Sequence, residues 1–167
     1  VSADNTENGR DWFTEGDQTK YVINYQNKLP VSFLSAMAGV AKSTGNGRTV
    51  SVVANLVYGT PAETVTQVRS FENAGVHVTG VEMGNEHYGE AKGVHMTPQQ
   101  YLEKAKATAR AVRDVYPNMK IGLVAANAYP STHPNSAGYL AWNQAMAQAM
   151  QSEIYQSVPL YNAFIIH

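Results

Sequence analysis

Cysteine is absent from the 167 residues, so disulfides, thiol catalysis and Cys-ligated zinc are excluded together. Charge is scarce and balanced: 12 Lys plus Arg stand against 13 Asp plus Glu, with no run of like charges. The chain therefore lacks the basic excess that phosphate-backbone binding needs, and nucleic acid is not an expected partner. No stretch approaches the ~20 consecutive apolar residues of a membrane helix, and Val1 opens no charged-then-apolar signal sequence. The expectation is a soluble chain, long enough for one domain with a sizeable core.

What is present is regular punctuation. Residues 1–18 are polar and without apolar periodicity, an irregular lead-in that Trp12 and Phe13 tack onto the body formed by residues 19–167. Thr19 to Leu29 fits a short strand or a helical turn equally well and is read as a strand. From Pro30, the apolar positions Phe33, Leu34, Met37, Val40 and Ala41 repeat at helical spacing up to Gly45-Asn46-Gly47. Thr49 to Leu56 is β-branched and nearly all apolar, as expected of a strand covered on both faces.

Two helix starts then carry the same signature. Thr60-Pro61-Ala62-Glu63 and Thr97-Pro98-Gln99-Gln100 each combine an N-cap Thr, Pro at the first helical position and Glu or Gln at the third. Val65, Val68 and Phe71 form the buried stripe of the first helix, which Gly75 ends. Tyr101, Ala105, Ala109, Val112 and Tyr116 form that of the second, closed by Pro117. Val76 to Met83, Met119 to Ala126 and Tyr161 to Ile166 read as strands, and Gly138 to Gln156 as a helix with Leu140 and Met146 on its inner side.

Strands alternating with helices imply parallel β with right-handed crossovers. Two architectures compete, an open doubly wound sheet and part of a closed barrel. A nucleotide-binding open sheet expects a Gly-rich loop between strand and helix, whereas Gly45-Asn46-Gly47 precedes a strand. What stands at a strand end is Gly80-Val81-Glu82-Met83-Gly84-Asn85-Glu86. Alternation along the strand would put Glu82, Gly84 and Glu86 on one side, with Glu86 emerging at the end and Gly84 leaving room for a bend. An acid beside an amide at such a point suits glycoside chemistry, in which the acid protonates the leaving oxygen and the amide holds a sugar hydroxyl. A bare Asn-Glu pair also reads as an ordinary loop cap.

Val81-Glu82-Met83-Gly84-Asn85-Glu86 closely resembles the E-x-G-N-E signature at the end of the fourth barrel strand in clan A glycoside hydrolases. The resemblance is especially to those grouped with the α-L-arabinofuranosidases, the heparanase-like glucuronidases and related polysaccharide-degrading enzymes. Val52 to Leu56 looks like their third strand, Tyr101 to Pro117 like the helix after the fourth, and Tyr161 to His167 like the sixth strand ending in its substrate-side His. The resemblance covers most of Thr49 to His167. It implies a (β/α)8 barrel, about half of it present, and a retaining mechanism in which Glu86 is the acid/base and Asn85 steadies the substrate's 2-hydroxyl. It also implies a nucleophilic Glu on a seventh strand, beyond His167. A complete barrel needs eight strands in ~250 residues. The chain is accordingly expected to be a fragment that does not hydrolyse glycosides alone, with the remaining barrel strands of a longer chain as its partner. A secreted or periplasmic bacterial location suits such an enzyme.

Glu82 is not the second catalytic carboxylate: four residues of strand separate its Cα from that of Glu86 by about 13 Å, against ~5–5.5 Å between carboxyl groups in retaining enzymes. It is expected to accept hydrogen bonds lower in the barrel, in support of the site. Asn55, Asn127, Tyr129 and His167 stand at or just past strand ends as candidate sugar contacts, and each also reads as a loop cap. Tyr58, Tyr88 and Trp12 are candidates for stacking on sugar rings, whereas Trp142 reads as packing. His87, Glu90 and His95 match no zinc or calcium spacing, so neither metal nor cofactor is expected. Two other readings stay open: a non-catalytic carbohydrate-binding or scaffold module on a partial barrel, and an unrelated α/β domain in which Asn85-Glu86 is incidental.

Overall fold

A computed structural model describes residues 36–40, 43, 49–89, 95–127 and 135–166. The lead-in, the expected strand over 19–29, Trp12, Glu90, Tyr129 and His167 lie outside them. Residues 36–40 are helical, as the apolar spacing from Pro30 predicts. The rest is an α/β arrangement: β1 (Thr49–Val53), α1 (Pro61–Asn73), β2 (His77–Met83), α2 (Pro98–Val115), β3 (Lys120–Val124), α3 (Ser136–Ser152), β4 (Ile154–Tyr155), β5 (Val158–Pro159) and β6 (Ala163–Ile165).

Both Thr-Pro starts fold as their chemistry dictates. The Thr60 side chain accepts from the Glu63 amide while Glu63 reaches back to the Thr60 amide at 2.6 Å, and Thr97 and Gln100 repeat the exchange. Each reciprocal cap satisfies donors that a helix start leaves orphaned. Gly75 takes φ +81 after the end of α1, a left-handed position that favours glycine. The predicted stripes Val65, Val68 and Phe71, and Tyr101, Ala105, Ala109 and Val112, are buried, whereas Tyr116, expected to end the second stripe, is half-buried at the cap just past α2.

β1, β2, β3 and β6 form one parallel sheet in that order, with no reversal of chain direction along it. α1 packs on α2 and α2 on α3, which puts the three helices in one layer. Crossovers of one hand stepping the same way along the sheet produce that result. The sheet's two faces differ accordingly. Val52, Val81, Met83, Ile121 and Leu123 share one face and are buried, while the other carries exposed Ser51 and half-buried Val53 and Glu82 towards β1, and buried Val124 at the end of β3. Phe164, 45% exposed, pairs with Leu123 on the buried face, at the β6 edge of the sheet.

Four expectations need correction. The first strand ends at Val53, because Leu56 to Tyr58 turn, and the strand expected over Tyr161 to Ile166 pairs only over Ala163–Ile165. Leu140 is 60% exposed and does not face inward; the inner stripe of α3 is Trp142, Met146 and Ala149, at spacings of four and three. Leu140 precedes Trp142 by two residues, which is about 200° around a helix. The helix stops at Ser152 instead of Gln156, and residues 154–159 form a two-stranded antiparallel hairpin, β4–β5. Gln156 and Ser157, at φ 49 and 68, make its two-residue turn, the conformation that matches strand twist. Arg113 holds this hairpin from α2, donating to the carbonyls of Pro159 and Leu160, and the Tyr155 hydroxyl donates to Asp114 at 2.7 Å.

Candidate active site

Parallel strands in register bring their carboxyl ends to one edge. Asn55 and Tyr58 follow β1, Asn85 and Glu86 follow β2, and Asn127 follows β3. The segment after β2 does not continue the strand's alternation, so the expectation that Glu82, Gly84 and Glu86 share one side fails beyond Met83. Gly84 takes φ +80 and its amide donates back to the Glu82 carbonyl at 2.9 Å, while Glu86 takes φ 47. The Gly89 amide then donates to the Glu86 carbonyl, and the Met96 amide to that of His87, each at 2.9 Å. Asn85 and Glu86 are both exposed on this turn. A non-glycine residue in the left-handed region is costly and recurs at functional sites.

Gly84 is required twice. Its φ suits glycine, and a Cβ there would overlap the His87 imidazole at Nε2 and Cδ2. His87 is buried, with its ring 5.8 Å from that of Tyr101. His95 places Nδ1 2.9 Å from the Gly89 carbonyl, a contact that fixes its proton on that nitrogen. Among the described residues, no group of three or more His, Asp or Glu is placed to hold a metal.

Helix side chains hold the rest of the edge. The Tyr101 hydroxyl donates to the Met83 carbonyl at 2.7 Å and accepts from the Val124 amide at 2.9 Å, joining the last paired residues of β2 and β3. Burial raises the pKa of this phenol well above the usual tyrosine range, against the opposing pull of the Val124 amide. The Trp142 indole donates to the Val124 carbonyl at 2.8 Å, and the Asn143 amide bonds both the amide and the carbonyl of Ala126. Lys104, one turn after Tyr101, donates to the carbonyls of Leu56 and Val57 at 2.9 and 3.2 Å. Trp142 is thus packing, as expected, with a polar role at its tip.

The remaining expected residues take these places. Asn55 accepts from the amides of Val57 and Tyr58 through Oδ1, the loop-capping alternative. Tyr58 and Asn127 are half-buried. Tyr88 is half-buried edge-on to Tyr139 and Trp142, with centroids 5.5 and 5.8 Å away. Glu82 lies in register between Val53 and Gly122 on the less covered face. Sequence reasoning missed the polar roles of Tyr101, Lys104 and Asn143. A phenol on a buried helical stripe needs a partner for its hydroxyl, and that signal was available for Tyr101 alone.

Most of the other described carboxylates have partners of their own. Asp114 accepts from Tyr155, while Glu103 is exposed on α2. Glu63 caps α1, Glu72 bonds the Val78 amide and His77, and Glu153 pairs with Lys106 at 2.6 Å. No helix among the described residues is long and apolar enough to cross a membrane. Comparison with protein-family models, with curated proteins and with solved structures returned no match.

Proposed function

We propose that the chain is part of a retaining glycoside hydrolase of clan A type, acting on an oligo- or polysaccharide, with Glu86 as acid/base. The carrying observation is the placement of Asn85 and Glu86, side by side and exposed, on a left-handed turn at the carboxyl end of a parallel strand. Active sites of α/β barrels form at that edge. Strands in chain order with helices in one layer suit a barrel sector better than a doubly wound sheet, which needs a reversal of order.

In this reading Glu86, protonated, gives its proton to the glycosidic oxygen as the bond to the anomeric carbon breaks. It then takes a proton from the water that releases the sugar from the nucleophile. Asn85 holds the 2-hydroxyl, with bonds that tighten as the oxocarbenium-like transition state forms. None of the described carboxylates is a suitable nucleophile, so that group comes from a further strand of the barrel. Such a strand and its crossover helix would also cover Phe164 and 68%-exposed Ile166. The chain by itself then has no turnover, and an exported location suits a polysaccharide substrate.

The test is Glu86→Gln in the enzyme that contains this chain. Hydrolysis of substrates with poor leaving groups should fall by about 10²–10⁴-fold, the usual contribution of a positioned proton donor. Release of activated aryl leaving groups in the first step should be spared. Equal loss on the two substrate types would remove Glu86 from the acid/base role.

A further inference from the structure

The turn that carries Asn85 and Glu86 has an anchor that the proposed chemistry does not use. His87 follows Glu86 directly, yet its side chain is 4% exposed where its two predecessors are exposed. The imidazole lies against the Cα of Gly84, filling the space a Cβ would occupy, and its ring is 5.8 Å from that of Tyr101. Tyr101 is itself fixed to Met83 and Val124. The backbone of His87 is held as well, since its carbonyl accepts from Met96. A chain that leaves β2 at Gly84 and must return the side chain of His87 beneath that glycine has two intervening residues in which to reverse. The left-handed φ at Gly84 and Glu86 accomplishes the reversal and leaves Asn85 and Glu86 projecting outward.

We propose that His87 is the positioning residue of the Asn85–Glu86 pair, its buried ring acting as a wedge against Gly84 that fixes the left-handed turn. The role of Glu86 as acid/base is taken from the reading above; the wedge itself is independent of it.

The experiment compares His87→Ala, His87→Phe and His87→Gln in the full-length protein, by amide hydrogen exchange and by kinetics. In His87→Ala, exchange at residues 84–89 and at Met96 should accelerate by about tenfold or more, while peptides from α1 and α2 keep their protection. His87→Phe, which retains a flat ring, should restore protection to a large extent. Should His87→Ala fail to fold, the contrast between Phe and Gln decides the matter. Unchanged exchange at 84–89 would overturn the proposal, and so would rescue by Gln but not by Phe, because a hydrogen bond and not the ring would then be holding the turn.

The kinetic arm separates the wedge from general structural damage. A misplaced acid should lower kcat for poor leaving groups by about tenfold or more with KM and activated substrates little changed, whereas loss of folded protein lowers every rate equally. An enzyme without glycosidase activity would overturn the proposed function and leave the exchange result to decide the positioning role.

Discussion

The ends of β2 and β3 lie side by side at the same edge and are built in opposite ways. After Val124, the chain runs on with its backbone groups held by helix side chains: the Val124 amide by Tyr101, its carbonyl by Trp142, and Ala126 by Asn143. After Met83, one side-chain bond to the carbonyl is followed by an abrupt left-handed turn whose hydrogen bonds are its own. Residues 125 and 126 are buried, and residues 85 and 86 are exposed. Where helices satisfy the backbone, the strand end is a fixed wall; where a glycine lets the chain reverse, polar side chains are projected from that wall.

Breaking the β2 end should have the largest effect. Gly84→Ala puts a Cβ into the His87 ring and an L side chain at φ +80. Steric and conformational costs together should destabilise the protein by about 3 kcal/mol, seen as a lower midpoint in urea with an unchanged slope. A loss below about 0.5 kcal/mol, within the ordinary range of surface substitutions, would mean that His87 moves freely and that the turn is not wedged.

Tyr101→Phe should come next, because it acts on both strand ends at once. It removes one oxygen that serves the Met83 carbonyl and the Val124 amide while leaving the ring in the core. Buried groups deprived of a partner cost about 1–3 kcal/mol, so a loss near 2 kcal/mol is expected in the same urea assay. Little change would show that the β2–β3 ladder closes the gap by itself.

How much of this was legible depends on the range of the interactions involved. Thr60-Pro61 and Thr97-Pro98 announce their helices because caps act within four residues. The placement of Asn85 and Glu86 at a strand end followed from the apolar run before them. The backbone reversal between them did not, since period-two alternation has no term for the His87 ring that demands it. Leu140 misled for a related reason: apolarity alone cannot fix the phase of a helix whose buried stripe is set by Trp142 reaching Val124. The β4–β5 hairpin was hidden because Ile154 and Tyr155 extend an apolar spacing that suits a helix, while the clamp from Arg113 and Asp114 is tertiary. Lys104 and Asn143 look like ordinary surface polar residues until the loops they hold are in place.

The smallest expected effect tests whether Tyr101 matters through its bonds or merely through its size. Tyr161 is its counterpart at the opposite end of the sheet, just before β6: equally buried, but with a hydroxyl that has no hydrogen-bond partner among the described residues. Tyr161→Phe at neutral pH should therefore change stability by no more than about 0.5 kcal/mol, and a small gain is the natural direction, since an unmet buried hydroxyl is removed. The two tyrosines should converge again in alkali. Burial raises both phenols above the usual tyrosine range, aided at Tyr161 by the charge of Glu153. A raised folded-state pKa means that the unfolded chain releases protons first, so stability is intact below an unfolded pKa of about 10 and falls as pH rises above it. Each Phe variant should flatten that fall, by up to about 1.4 kcal/mol per pH unit for each tyrosine removed. Urea unfolding between pH 9 and about 11.5, on either side of the ordinary tyrosine pKa, checks the pattern. If Tyr161→Phe destabilises at pH 7 as much as Tyr101→Phe, the hydroxyl bridge between β2 and β3 is not what holds the edge.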